Sequence, residues 1–229
     1  MSAQQIAEMQ AELNFLKSSL VELKKQELMT KIETILRNVK QTKQYRDKTK
    51  KVKFNLEWAF LMGHNISALG AKSFETPHNF KKGKGVCVKP VEERNIAKWK
   101  KELWTLSKEL ITLTDADFAA GEYVVNYSCM TKPEQYVKKH VDGDDISHQY
   151  ALALGDYRGA YLRCYDEDDN VLGDFDYNRK ICKMDGRLPH ELVSDNFQGE
   201  RFCVIWFKTY DHRKTEPDPI FREPCFVGE

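Results

Sequence analysis

The strongest constraint on this chain is a succession of short apolar segments after Thr114: "EYVVNYSCM", "ISHQYALALGDY", "AYLRCY", "RKICKMD" and "RFCVIWFKTY". They are rich in β-branched and aromatic residues and separated by Gly, Asp and Asn, the residues of tight turns, so they predict strands. Ahead of them the period is helical. In "VEERNIAKWKKELWTLSKELITL", Ile96, Trp99, Leu103, Leu106 and Leu110 recur three or four apart, which predicts an amphipathic helix with a core-facing stripe. Helices followed by many strands give an α+β chain with a sandwich or barrel at its centre. A length of 229 residues allows one main domain and an extension.

The extension is the N-terminal segment. "IAEMQAELNFLKSSLVELKK" sets Ile6, Met9, Leu13, Leu16, Leu20 and Leu23 at alternating spacings of three and four, a seam suited to helix-on-helix packing. The period slips by five to Leu28 and resumes through Ile32, Ile35 and Val39, so one long helix has a rotating stripe, or two helices are present. The seam reads either as a coiled-coil arm that makes a homodimer or as a helix docked on its own domain. The division is then an N-terminal helix over 1–40, a basic linker over 41–54 and the main domain over 55–229.

Charge is placed unevenly. The whole chain has 36 Lys+Arg against 35 Asp+Glu, yet residues 1–55 carry twelve basic and six acidic residues. "RNVKQTKQYRDKTKKVK" alone holds eight basic residues and one acid, Asp47. It reads as a phosphate-tracking run or a solvated helix face and linker. "NISALGAKSFETPHNFKKGKG" reads as a loop broken by Pro77, with further lysines at its end. The six cysteines form no C-x-x-C pair and several lie in the strand-like segments, which argues against a zinc site; their even number permits three disulfides, but without a secretory leader reduced thiols in an intracellular protein are expected. No apolar run approaches the ~20 residues that span a bilayer, so no membrane partner is expected.

"KKHVDGDDISHQYALALGD" raises the question of chemistry. His140 and Asp142 are two apart, and on extended backbone both reach the same side; alone, the pair reads as a metal hook or as a polar turn. In "MDGRLPHELVSDNFQGERFCVIWFK", His190 precedes a turn-like "SDNFQG" and Arg201 opens the next strand. A hairpin centred between Asn196 and Phe197 puts His190 and Arg201 on one face, roughly 7–8 Å apart; a one-residue slip separates them. Arg187 either faces this pocket or pairs with Asp185. His64, His78, His148 and His212 have no acidic partner at ligand spacing, and only His148 lies near the motif. His140, Asp142 and His190 have the composition of a two-histidine, one-carboxylate facial triad, which leaves positions open on non-haem Fe(II). A buried arginine beyond them needs an anion, and its fork matches a carboxylate.

The order H-x-D, fifty residues from His140 to His190, and an arginine eleven further on within strands resembles the Fe(II)/2-oxoglutarate-dependent dioxygenase superfamily. The resemblance covers roughly residues 120–210 and implies a double-stranded β-helix (jelly-roll) core with flanking helices. Within it, "LALGDYRGAYL", "KMDGRLPHELV" and "GERFCVIWF" resemble the TET/JBP-like dioxygenases that oxidise the 5-methyl group of pyrimidines in nucleic acid. It implies Fe(II) held by His140, Asp142 and His190, with 2-oxoglutarate and O2 as cosubstrates and an ascorbate-like reductant left open. Arg201, Asn126 and Tyr127 are then 2-oxoglutarate contacts, although "VVNYSCM" reads equally as an ordinary strand. DNA is the expected partner, and the location is nuclear in a eukaryote and cytoplasmic otherwise. The alternatives are the same chemistry on a protein side chain or an N-alkylated nucleobase, and a non-catalytic jelly roll that uses its helical arm for interaction.

Overall fold

The computed structural model describes residues 1–39, 45–46, 54–63, 97–209 and 216–228. Most of the basic linker, the loop after Gly63 with its lysines, Ile96, Cys87, His64, His78 and His212 lie outside the described residues. In chain order the elements are helix α1 (Ala3–Arg37), strands β1 (Tyr45–Arg46), β2 (Phe54–Leu56) and β3 (Trp58–Gly63), and helices α2 (Lys98–Thr114) and α3 (Ala116–Ala120). Strands β4 (Val124–Met130), β5 (Tyr136–His140), β6 (Gln149–Leu154), β7 (Tyr157–Arg158), β8 (Tyr161–Tyr165) and β9 (Val171–Phe175) follow. The last are β10 (Ile181–Met184), β11 (His190–Val193), β12 (Gln198–Gly199), β13 (Arg201–Phe207) and β14 (Cys225–Phe226).

Two six-stranded antiparallel sheets form the centre, in the orders β1-β2-β5-β11-β8-β9 and β14-β10-β6-β13-β4-β3. From β4 onward the chain passes repeatedly from one sheet to the other, an order compatible with the expected jelly roll. Side-chain alternation then sorts the second sheet. Val125, Tyr127, Tyr150, Leu152, Phe202, Val204 and Trp206 point outward into one large cluster with α1 and α2, whereas Ala151, Ala153, Cys182 and Cys203 point inward.

The helices exist to cover that outer face. On α2 the buried stripe is Leu103, Trp104, Ser107, Leu110 and Ile111. Asp115 then accepts from Phe118 N–H and so starts α3. On α1 only the second half is docked, through Lys25, Leu28, Met29, Ile32 and Leu36, and ion pairs from Arg179 to Glu33 (2.6 Å) and Arg37 to Glu200 (2.6 Å) hold it to the sheets. Docking on its own domain therefore describes this half of the helix, while Ile6, Met9, Leu13, Phe15, Leu16, Leu20 and Leu23 stay exposed.

The expected hairpin between His190 and Arg201 is not formed. β11 lies in the first sheet between β5 and β8, and β13 lies in the second between β4 and β6. The connection crosses the sandwich because Phe197, 1% exposed, is buried with Leu56, Met130, Ala160 and Leu192. An aromatic side chain drawn between the sheets outweighs the turn chemistry of "SDNFQG". Among the described residues no helix is long and apolar enough to cross a membrane. Five cysteines are described and all are free; Cys129, Cys164, Cys182 and Cys203 are buried.

Candidate metal centre

Strand β11 runs beside β5, with His190 opposite His140 and Leu192 opposite Val137. Two steps on β11 therefore match three on β5, a bulge that turns both Val137 and His140 towards the sandwich interior. The imidazoles are 9% and 7% exposed, and their ring centroids stand 4.3 Å apart. Phe54 packs edge-on against His140 at 4.8 Å. Asp142 follows the strand in a segment held by its N–H on the Gly186 carbonyl at 2.8 Å.

The ligand atoms converge. Asp142 Oδ1 is 3.6 Å from His140 Nε2, Asp142 Oδ2 is 3.7 Å from His190 Nε2, and one ligand atom from each residue lies within 4.8 Å of the others. Nδ1 of His140 lies 2.7 Å from the Lys138 carbonyl, and Nδ1 of His190 lies 2.9 Å from that of Leu188. A carbonyl only accepts, so both Nδ1 atoms carry a proton, which leaves Nε2 of each ring, beside Asp142, as the nitrogen that can ligate. Backbone carbonyls thus fix tautomer and ring orientation, as they do around metal-bound histidine. Two neutral nitrogens and one carboxylate on one side of a point suit a divalent ion with open positions, Fe(II) among them.

Sequence reasoning did not single out the residues that orient Asp142. Gln149, 2% exposed, donates through Nε2 to Asp142 Oδ2 at 2.9 Å and to Asp145 Oδ2 at 2.8 Å. Burial, reinforced by the Asp142 charge, pushes the Asp145 carboxyl up to about 9. Gly186 makes room for this clamp, since a Cβ there would lie 1.7 Å from Gln149 Nε2. The available signal was a glutamine at an inward-facing phase of "QYALAL".

Arg201 is 3% exposed and faces inward from β13. Its Nη2 donates to the Tyr177 hydroxyl, its guanidinium lies 5.6 Å from the Tyr157 ring centroid and 5.1 Å from that of Tyr177, and its buried Nε has no hydrogen-bond partner among the described residues. Among the described residues it forms no ion pair. Between Arg201 and Ile205 the inner face carries small side chains, Cys203 with Ala153 and Ala151 alongside. Asn126 pairs in register with Ile205, and both line a cavity of about 260 Å³ with Asp142, Asp144, Asp145 and Gln149. Asn126 Oδ1 is buried without a hydrogen-bond partner among the described residues.

Tyr127 is not brought to this interior. One residue on from Asn126 it points to the outer face, stacks on Phe60 at 5.2 Å and donates to Ser107 Oγ of α2 at 2.9 Å. Alternation along β4 makes the two mutually exclusive as pocket residues. Arg187 pairs with Asp185 at 2.6 Å and also donates to the Asp218 and Pro219 carbonyls, so it anchors the C-terminal segment. His148 packs outward against Phe118, Tyr150 and Phe221, and burial lowers its pKa.

No family model matches the chain, and no curated protein matches it. Solved structures do. The chain is similar to a prolyl-4-hydroxylase from Pseudomonas putida, at 16% identity over 52% of this chain and 68% of that one, with a TM-score of 0.36. It is also similar to an oxidoreductase of the 2OG-Fe(II) oxygenase family from Burkholderia pseudomallei, at 14% identity over 53% of this chain and 62% of that one, with a TM-score of 0.39. Both likenesses are distant and partial.

Proposed function

We propose that this chain is an Fe(II)- and 2-oxoglutarate-dependent dioxygenase. The observation that carries the reading is the triad of His140, Asp142 and His190, with ligand atoms within 4.8 Å and both Nδ1 protons committed to backbone carbonyls. Bound iron would supply the activation of O2 that couples decarboxylation of 2-oxoglutarate to succinate with hydroxylation of a substrate C–H.

The protein's share is binding, orientation and exclusion of water. Arg201 offers a buried fork to the distal carboxylate of 2-oxoglutarate, with the Tyr177 hydroxyl beside it. The side chains on the inner face beside that fork, Ala151, Ala153 and Cys203, are small. Gln149 holds the ligand carboxylate in place, and Asn126 presents an unpaired oxygen at the cavity. Anaerobic titration with Fe(II) and 2-oxoglutarate tests this. A metal-to-ligand charge-transfer band is expected in the wild type and not in His140→Ala; its absence from the wild type, or its persistence in the variant, overturns the proposal.

For the substrate we propose the 5-methyl group of 5-methylcytosine or thymine in DNA, on the resemblance of "LALGDYRGAYL", "KMDGRLPHELV" and "GERFCVIWF". A stacked base must be flipped to reach an interior site. One observation favours the second reading, a protein side chain: Asp144 stands exposed on the cavity wall, beside Asp142 and Asp145, where it opposes phosphate. Mass spectrometry of nucleosides from methylated duplex incubated with enzyme, Fe(II), 2-oxoglutarate and O2 separates the two. Oxidised 5-methyl products support the DNA reading. Recovery of only unmodified bases, with succinate formed when cationic peptides are added, overturns it.

A further inference from the structure

The first half of α1 is a helix with an apolar stripe that has no partner among the described residues. Ile6, Met9, Leu13, Leu16, Leu20 and Leu23 are 45% to 69% exposed, whereas Leu28, Ile32 and Leu36 on the same helix are 0% to 1% exposed. The change of phase between Leu23 and Leu28 explains the difference. At 3.6 residues per turn, the docked residues Lys25, Leu28, Met29, Ile32 and Leu36 lie on the side of the helix roughly opposite the Leu20 and Leu23 side. Continued towards the domain, the heptad phase of the first stripe falls on Glu27, Thr30, Thr34 and Arg37, all polar. The stripe therefore ends where the helix meets its own sheets, and it faces away from them.

We propose that Ile6, Met9, Leu13, Leu16, Leu20 and Leu23 form the seam of a parallel two-stranded coiled coil between two copies of this chain. Ile6, Leu13 and Leu20 take the a positions and Met9, Leu16 and Leu23 the d positions, over 18 residues or roughly 27 Å. The flanking charges select orientation. Glu12 occupies g and Lys17 the following e, so a parallel pair sets Glu12 of each copy against Lys17 of the other, twice by symmetry. An antiparallel pair sets Glu12 against Ser19 and Lys17 against Gln10, with no ion pair. The docked domains lie on the far side of each helix from the seam, so two copies meet along the seam with their domains on opposite flanks. A lipid surface is the poorer match, because residues 1–23 hold one lysine, Lys17, against Glu8, Glu12 and Glu22. The helix start is fixed by a reciprocal capping box between Ser2 and Gln5.

Sedimentation equilibrium on the full chain tests the proposal, with a dimer of the 26.7 kDa chain expected. Leu13→Asp with Leu20→Asp should give a monomer whose melting temperature in dilute solution matches that of wild-type monomer, because both side chains are exposed. Phe15→Ser, which lies outside the seam although Phe15 is 70% exposed, should leave the dimer intact. Glu12→Lys should raise the dimer dissociation constant roughly 3- to 10-fold at low salt, and adding Lys17→Glu should restore it. A wild-type monomer, a higher oligomer, a dimer that survives the paired aspartates, or a charge swap without effect overturns the proposal. So does a wild-type monomer that binds anionic vesicles through this stripe.

Discussion

Replacing Arg201 by Met separates the two costs that a buried, ligand-seeking cation carries. Arg201 is 3% exposed and, among the described residues, forms no ion pair and has no hydrogen-bond partner at Nε. Removing a buried charge in favour of a side chain of similar length is neutral or stabilising by about 1–4 kcal/mol. Against this stands the lost bond to the Tyr177 hydroxyl, about 1 kcal/mol. The net, from about −1 to about 3 kcal/mol, corresponds at this chain length to a melting temperature between about 3 °C lower and roughly 10 °C higher. Binding should move the opposite way. A buried carboxylate deprived of its cation costs about 3–5 kcal/mol, so the dissociation constant of 2-oxoglutarate should rise by roughly two to three and a half orders of magnitude. Differential scanning fluorimetry of ligand-free protein and anaerobic calorimetric titration with Fe(II) present read the two effects. A variant that binds 2-oxoglutarate as wild type does, or that melts more than about 3 °C lower without ligand, would show Arg201 to be a structural residue and refute the reasoning.

Gln149→Ala removes the donor shared by Asp142 and Asp145 and should weaken Fe(II) binding by about 10- to 100-fold, measured by competition with a chelator, while the fold survives. Ile32→Ala, at a fully buried position of the docked half of α1, should cost about 2–5 kcal/mol in urea unfolding; a loss under about 1 kcal/mol would mean that this half is not part of the cooperative unit. The Asp115 carboxyl, which burial alone would push up, is held below its ordinary 3.8 by hydrogen bonds from Phe118 N–H and the Tyr150 hydroxyl. Its contribution is therefore full above that value and is lost as pH falls below it. Asp115→Asn keeps the helix cap without the charge, so its deficit against wild type should be present at pH 6 and shrink towards pH 3; a deficit that grows on acidification contradicts this sign.

How much of this was legible in the sequence depends on the range of the interaction that decides each feature. The helix over Lys98–Thr114 and the strands at Val124–Met130, Gln149–Leu154, Tyr161–Tyr165, Ile181–Met184 and Arg201–Phe207 follow from local period and turn residues, and the strand-rich segments contain them. β5 and β11, which carry His140 and His190, were harder to see. "YVKKH" is charged on its exposed side, and "HELV" is only four residues long. The bulge that turns His140 inward is a relation between two strands fifty residues apart, and no local pattern records it. The hairpin to Arg201 failed for the same reason. Turn chemistry at Ser194–Gly199 is local, whereas the burial of Phe197 against Leu56 and Met130 is not.

Asn126 and Tyr127 show where sequence alternation stops short. Period two guarantees that only one of them faces the interior, but it does not say which face of β4 the interior is. That is decided by the helices. α2 brings Ser107 over the sheet, fully buried, and Trp206 donates to the Ser107 carbonyl at 3.2 Å while the Tyr127 hydroxyl meets its Oγ. A serine in the apolar stripe of α2 is otherwise a cost, since a buried hydroxyl without a partner loses its hydration. Its presence in "LWTLSKEL" marks a polar contact beneath the helix, and Tyr127 supplies it. With Tyr127 committed to α2, Asn126 is left on the inner face with Ile205, one register row from Cys203 and two from Arg201. The inner surface of this sheet is thus defined from the outside inwards: the side chains that the helices need are removed first, and what remains on the opposite phase of β4, β6 and β13 is a small, polar and cationic set that includes Asn126, Gln149 and Arg201.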